Sequence, residues 1–128
     1  VALLRDAIRV PGDVTPQRMR ATVVTAVMSV TRELAHWQES KQADGHATLA
    51  DVPAQMIDGA SRLVQLYLRA VYCATAVELH ERYRSYDTTA QGNPRADDLT
   101  PTIGEIRRDL RNAISDLLGT RRVTVDLI

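Results

Sequence analysis

Phenylalanine is absent from this chain of 128 residues, and only one Trp (Trp37) and four Tyr supply aromatic side chains. The core must therefore be built from Val, Leu, Ile and Ala, which suits closely packed helices and leaves little aromatic lining for a small-molecule pocket. Hydrophobic residues still make up 45% of the sequence and charged residues 25%, which is typical of a globular protein. The length fits one domain over residues 1–128.

An excess of either charge sign is also absent, because sixteen basic residues balance sixteen acidic ones. A protein that holds nucleic acid through its phosphates usually carries a basic excess, so the composition argues against that class. No apolar run approaches the roughly 20 residues that span a bilayer, and no membrane partner is expected. The one cysteine, Cys73, excludes a disulfide bond within the chain and fits a reducing compartment.

Signatures of catalysis are missing as well. The three histidines share no ligand spacing, and Glu78-Leu79-His80-Glu81 lacks the second histidine of a zinc protease motif. Cys73 lies in an apolar stretch, where burial keeps a thiol protonated and inert. The sequence contains no glycine-rich phosphate loop, nucleophile elbow or dinucleotide fingerprint. We therefore expect no enzyme activity, no catalytic residue, no metal and no cofactor.

Three segments carry apolar residues at the three- and four-residue spacing of a long helix. The first, 16–42, opens with Thr15-Pro16, an N-cap followed by proline at the first helical position. The second, 60–86, has no charge across residues 70–77, which predicts the central helix of a bundle. The third, 100–118, opens with Thr100-Pro101 and ends before Gly119.

These segments predict an all-α fold, an antiparallel bundle of three long helices with a short helical segment near residues 3–8. Connectors are expected at 45–58, which contains Pro53, and at 87–98, which is polar and contains Gly92-Asn93-Pro94. The pattern offers no strand in either connector.

The last residues, 121–128, follow a different period. Val123, Val125 and Leu127 alternate with polar residues, as in a half-buried strand. No other segment supplies an obvious pairing strand, so another chain could provide one by strand addition. An extended arm that lies on its own bundle explains the pattern equally well.

Arginine outnumbers lysine fifteen to one, and it clusters. Arg107, Arg108 and Arg111 lie on the third helix, and Arg121-Arg122 follow it. Three interpretations stay open: a solvated face balanced by nearby acids, planar pairing with carboxylates of a neighbouring subunit, or contact with passing DNA phosphates.

Several blocks of the sequence resemble the head-completion (head–tail connector) proteins of temperate P2-like phages, which have long contractile tails. The likeness runs from about Pro16 to the C-terminus, and the blocks keep their order and spacing. The blocks are Leu49-Ala50-Asp51-Val52-Pro53-Ala54, Ile57-Asp58-Gly59, Glu81-Arg82-Tyr83-Arg84 with Asp87, and Thr102-Ile103 with Glu105, Arg108-Asp109, Arg111 and Ala113.

The resemblance implies a structural virion protein of the head–tail neck that is assembled in the host cytoplasm. Such a subunit binds the portal protein after DNA packaging, forms a ring of roughly twelve identical copies, extends the channel and offers a surface to the tail completion protein. The alternative is a small DNA-binding or packaging-associated regulator. The expected portal or neighbour interface comprises Arg107, Arg108, Arg111, Arg121, Arg122, Val123, Val125, Leu127 and Ile128.

Overall fold

Three long helices dominate the computed structural model, which describes residues 14–89 and 102–120. They are α1 (Pro16–Ala43), α2 (Arg62–Thr89) and α3 (Ile103–Leu118). A short 3₁₀ helix (Leu49–Asp51) and the strands β1 (Met56–Ile57) and β2 (Ala60–Ser61) lie between α1 and α2. The fold is therefore mostly helical, as the all-α prediction requires. The segment near residues 3–8, most of the polar connector after α2 and the arm at 121–128 lie outside the described residues.

The ends of α1 follow the signals in the sequence. The Thr15 hydroxyl accepts a hydrogen bond from the Arg18 amide at 3.2 Å, and Pro16 occupies the first helical turn. The helix ends at Ala43, and Gly45, two residues farther on, takes a positive φ of 98°. Its inward face buries Met19, Thr22, Ala26, Val30 and Leu34. Thr22 is accommodated there because its hydroxyl donates to the Arg18 carbonyl at 2.8 Å.

Helix α3 begins later than the sequence pattern predicts. The expected start was Thr100-Pro101, whereas Thr102 is the N-cap and accepts a hydrogen bond from the Glu105 amide at 3.1 Å. Two threonines compete for the cap, and only Thr102 places an acidic residue, Glu105, where it also interacts with the positive helix end. Gly119 ends the helix in the left-handed conformation, with φ of 77°.

The connector between α1 and α2 contains a β-hairpin that the sequence analysis missed. Met56 pairs with Ser61 and Ile57 with Ala60 in antiparallel register. Asp58 and Gly59 form the turn with positive φ values of 53° and 78°, the conformation of a tight hairpin turn. The expected helix start at residue 60 is therefore wrong, because residues 60–61 are in β2 and α2 begins at Arg62. At its other end α2 continues to Thr89, beyond the predicted end at residue 86.

One side chain fixes this hairpin to α2. The Gln65 amide nitrogen donates to the carbonyls of Ile57, at 2.5 Å, and Ala60, at 3.1 Å. The Ser61 hydroxyl accepts from the Leu63 amide at 3.2 Å and so satisfies a donor in the first turn of α2. The hairpin is therefore an extension of the start of α2 and not an independent loop.

Helix α2 packs against both α1 and α3 and contributes to two buried clusters. In the smaller cluster Met19 of α1 meets Leu79 of α2, while farther along Thr31 lies 3.3 Å from the Tyr67 hydroxyl. The two helices therefore run in opposite directions. The larger cluster joins all three helices through Ala26, Val30, Leu34, Leu63, Ala70, Val71, Ala113, Ile114 and Leu117, with Val52 of the connector.

Truncation of Leu79 should destabilise the fold. The residue is 1% exposed, and Leu79→Ala should lower the free energy of unfolding by about 2–5 kcal/mol because it removes buried methyl groups and leaves a cavity. Urea unfolding followed by circular dichroism measures this change. The matched control is Leu68→Ala on the same helix: Leu68 is 42% exposed, and its truncation should cost about 0.5 kcal/mol or less. Equal losses for the two variants would contradict this assignment of the core.

Candidate interaction surface

The three arginines predicted on α3 are exposed, but two of them bind carboxylates of the other helices. Arg111 places its Nη2 atom 2.8 Å and 2.6 Å from the two carboxylate oxygens of Glu33 on α1. Arg107 donates to Glu81 on α2. Among the described residues, Arg108 forms an ion pair with its chain neighbour Asp109, at 3.3 Å.

These pairs change the interpretation of the arginine cluster. Arg111 and Arg107 each connect α3 to a different helix, so their charges are already matched inside the chain. The hydrogen bond that Glu33 accepts raises the pKa of Arg111 further above its usual value. The geometry supports the interpretation of a surface balanced by nearby acids for Arg107 and Arg111. Arg108 keeps most of its side chain in solvent.

The other predicted interface residues, 121–128, lie beyond the described residues. The chain leaves α3 at Gly119, and Thr120 returns a backbone hydrogen bond to the Ser115 carbonyl at 3.0 Å. The arm therefore starts directly at the C-terminal end of α3, and its strand character stays a prediction.

A second exposed surface was not predicted. We call it the outer ridge of α1, and it consists of Arg20, Val24, Met28 and Arg32 at four-residue spacing. At about 100° per residue, Val24 and Met28 point roughly 160° away from the buried Ala26. Val24 is 51% exposed and Met28 63% exposed. The sequence indicates this surface, because Val24 and Met28 do not belong to the inward face of α1 described above.

A third surface lies at the end of the hairpin. The hairpin tip consists of Met56, Ile57 and Asp58, all of them exposed, and Met56 reaches 64% exposure. Large apolar side chains held out into solvent by a fixed turn are typical of protein contact sites. The short alternation around Asp58-Gly59 was too weak to predict a strand, although Asp-Gly is a strong turn signal.

Sites of chemical catalysis find no support in the described ranges, 14–89 and 102–120. No group of three or more potential ligands could hold a metal ion there. Burial raises the pKa of the half-buried Cys73 thiol, which keeps it in the unreactive protonated form. Glu78 of the incomplete zinc motif binds Arg82 at 3.0 Å. No helix within these ranges combines the length and apolarity needed to cross a membrane.

An open groove of about 420 Å³ runs between the second half of α1, the 3₁₀ helix and the start of α2. Its walls are mainly apolar, and they include Leu34, Leu49, Val52, Val64 and Tyr67. Its polar lining includes Gln38, Lys41, Gln42 and His46, with no carboxylate among the residues that line it. An apolar groove of this kind suits the packing of an apolar group.

The Glu33–Arg111 pair should couple α1 to α3 energetically. In a double-mutant cycle of Glu33→Ala and Arg111→Ala, we expect a coupling of about 0.5–1 kcal/mol at low salt, the upper range for an exposed ion pair. High salt should reduce it by screening. The measurement is urea unfolding of all four proteins. A matched cycle of Glu33→Ala with Arg108→Ala should show no coupling, and equal coupling in both cycles would refute the assigned geometry.

Comparison with known proteins shows the family of this chain. The phage head completion protein (GPL) family matches residues 1–128. The head completion/stabilization protein of Escherichia phage P2 is 38% identical over 125 residues, which cover 98% of this chain and 74% of that protein. The comparison with solved structures gives no match. The resemblance found in the sequence blocks is thus confirmed over the whole chain, and the protein belongs to the phage head completion protein family.

Proposed function

We propose that this protein is a head–tail connector subunit, which binds the portal vertex as a ring after DNA packaging, extends the channel and forms the docking surface for the tail. Family membership itself establishes the coarser role, that of a structural phage protein that acts in head completion. The match over the whole chain is the observation that carries the proposal, because it includes every surface described above.

The helices support this role mechanically. Helices α1 and α2 have 28 residues each, which corresponds to rods of roughly 42 Å. They are joined through buried clusters and, with α3, through ion pairs on the outside. Such a body keeps its shape when it is wedged between neighbours, as a ring subunit must.

The portal contact is proposed to involve Arg108 and the arm at 121–128. Arg107 and Arg111 also belong to the predicted interface, but a partner carboxylate would have to compete with Glu81 or Glu33. In the described part of the chain Arg108 pairs with the adjacent Asp109 and not with another helix, so a partner carboxylate could bind it at lower cost. Arg121, Arg122 and the apolar positions of the arm would then contact the portal as an added strand.

A duplex bound through the predicted arginine cluster would require unbalanced positive charge on α3. On α3 the three arginines Arg107, Arg108 and Arg111 all lie beside carboxylates. This arrangement favours a protein partner over a duplex, because phosphate binding depends on free cationic groups.

Ring formation on the portal should appear as added mass. The purified protein alone should be a small species, because the portal provides the template that brings subunits together. Mixed with portal rings of the same phage, it should give a complex heavier by a whole ring of subunits in native mass spectrometry. An unchanged portal mass would contradict the connector role. Binding to duplex DNA at low salt, which weakens steeply as salt rises, would favour the regulator instead.

Removal of residues 121–128 should abolish portal binding and leave the helices intact. The reason is that the deletion removes the proposed added strand but none of the residues in the buried clusters. Co-sedimentation with portal rings measures binding, and far-UV circular dichroism measures helix content. The full-length variant Arg121→Gln/Arg122→Gln separates the two contributions of the arm, which are the arginine charges and pairing as an added strand. Retained binding by this variant would mean that the strand pairing makes the contact. Normal binding by the truncated protein would exclude the arm from the interface.

A further inference from the structure

The outer ridge of α1 combines exposed apolar area with positive charge that nothing in the described residues balances. Arg20 and Arg32 lie at the two ends of the ridge, and Val24 and Met28 lie between them. Neither arginine forms an ion pair with a described residue, in contrast to Arg69, Arg82, Arg107, Arg108 and Arg111. An apolar strip between two guanidinium groups that lack an ion pair in the described ranges is suited to an apolar surface that carries a carboxylate.

The hairpin tip has the complementary character. Met56 and Ile57 are exposed and apolar, and the next residue, Asp58, is exposed and has no ion-pair partner among the described residues. The tip is also fixed before any contact is made. The antiparallel pairing holds its backbone, the Arg62 amide donates to the Gln55 carbonyl at 2.9 Å, and Gln65 donates to the carbonyls of Ile57 and Ala60. A preorganised tip loses little conformational entropy when it docks.

We propose that the hairpin tip of one subunit docks on the outer ridge of α1 of the next subunit. This inference rests on the proposed function only in assigning the contact to the ring of identical subunits. Met56 and Ile57 would lie against Val24 and Met28, and Asp58 would bind Arg20 or Arg32 of the neighbour. The partner is a second copy of this chain, because each copy carries both surfaces: the tip and the ridge are both apolar, and their charges are opposite.

The contact joins two different patches, so it is heterologous. A heterologous contact leaves one free patch at each end of every dimer, so it propagates, and it gives a ring where the rotation between subunits closes. The patches are small, which is consistent with weak association of the free protein and with assembly on a template. The carboxylate and the guanidinium groups fix which patch meets which, because two ridges or two tips brought together would place like charges side by side.

Cysteine cross-linking tests the contact directly. In a Cys73→Ala background, one variant carries Met28→Cys and a second carries Ile57→Cys. We expect that an equimolar mixture of the two, oxidised at high concentration, forms disulfide-linked dimers, while each variant alone stays monomeric. The variant with both cysteines should form a ladder of higher oligomers. Each protein is first checked for helix content by circular dichroism.

Each outcome decides the proposal. Cross-linking of either single variant with itself, or no cross-linking of the mixture both free and on portal rings, overturns it. A double-cysteine variant that stops at a closed dimer also overturns it, since this result means a two-fold contact and not a ring. If the mixture cross-links but no protein adds to portal rings, the subunit contact stands and the connector role fails. If portal rings gain mass without cross-links, the connector role stands and this contact is wrong.

The charged part of the contact has its own control. Asp58→Asn removes the carboxylate and keeps a residue that tolerates positive φ, so the turn should persist. We expect cross-linking of the mixture to slow by roughly two- to fivefold at low salt, the effect of one exposed ion pair. Asp44→Asn makes the same charge change at an exposed position outside the tip, at the end of α1, and should leave the rate unchanged. Equal effects of the two variants would show that Asp58 has no specific partner.

Discussion

Close approach of the three helices determines how the other features of the structure are arranged. One buried alanine from each helix, Ala26, Ala70 and Ala113, lies in the main cluster. Side chains this small allow helix axes to come near each other, and a chain without phenylalanine has few large residues to hold them apart. The same proximity brings Glu33 within reach of Arg111 and Glu81 within reach of Arg107. The ion pairs are therefore a consequence of the core packing, and they add orientation more than stability.

The sequence predicted those parts of the fold that local chemistry decides. Thr15-Pro16 and Gly119 mark helix ends because capping depends on a few adjacent residues, and both ends are where the pattern placed them. The hairpin was missed because its strands have two residues each, too few for an alternation to be visible. Gln65, one turn into the following helix, stabilises it with two additional hydrogen bonds. That support is a tertiary interaction, which a pattern along the chain does not reveal.

The sequence likewise predicted only part of the candidate surfaces. The exposure of Arg107, Arg108 and Arg111 follows from the period of α3, but their partners do not, because Glu33 lies 78 residues from Arg111 in the chain. The sequence also contained Val24 and Met28 at helical spacing, on the face of α1 opposite its buried residues. Their exposure is known only from the structure, in which α1 packs on one side. A helix covered on all sides would bury both faces in the core. The family assignment did not depend on any of this, because it rests on blocks of residues in order.

The bond between Gln65 and the hairpin has a mechanical consequence. A hairpin joined to the fold only through its two ends would deflect under load and dissipate the force locally. Here the carbonyls of Ile57 and Ala60 are also attached, through Gln65, to α2, the helix that packs against both others. A load on the hairpin would therefore reach α2 through these hydrogen bonds as well as through the main chain.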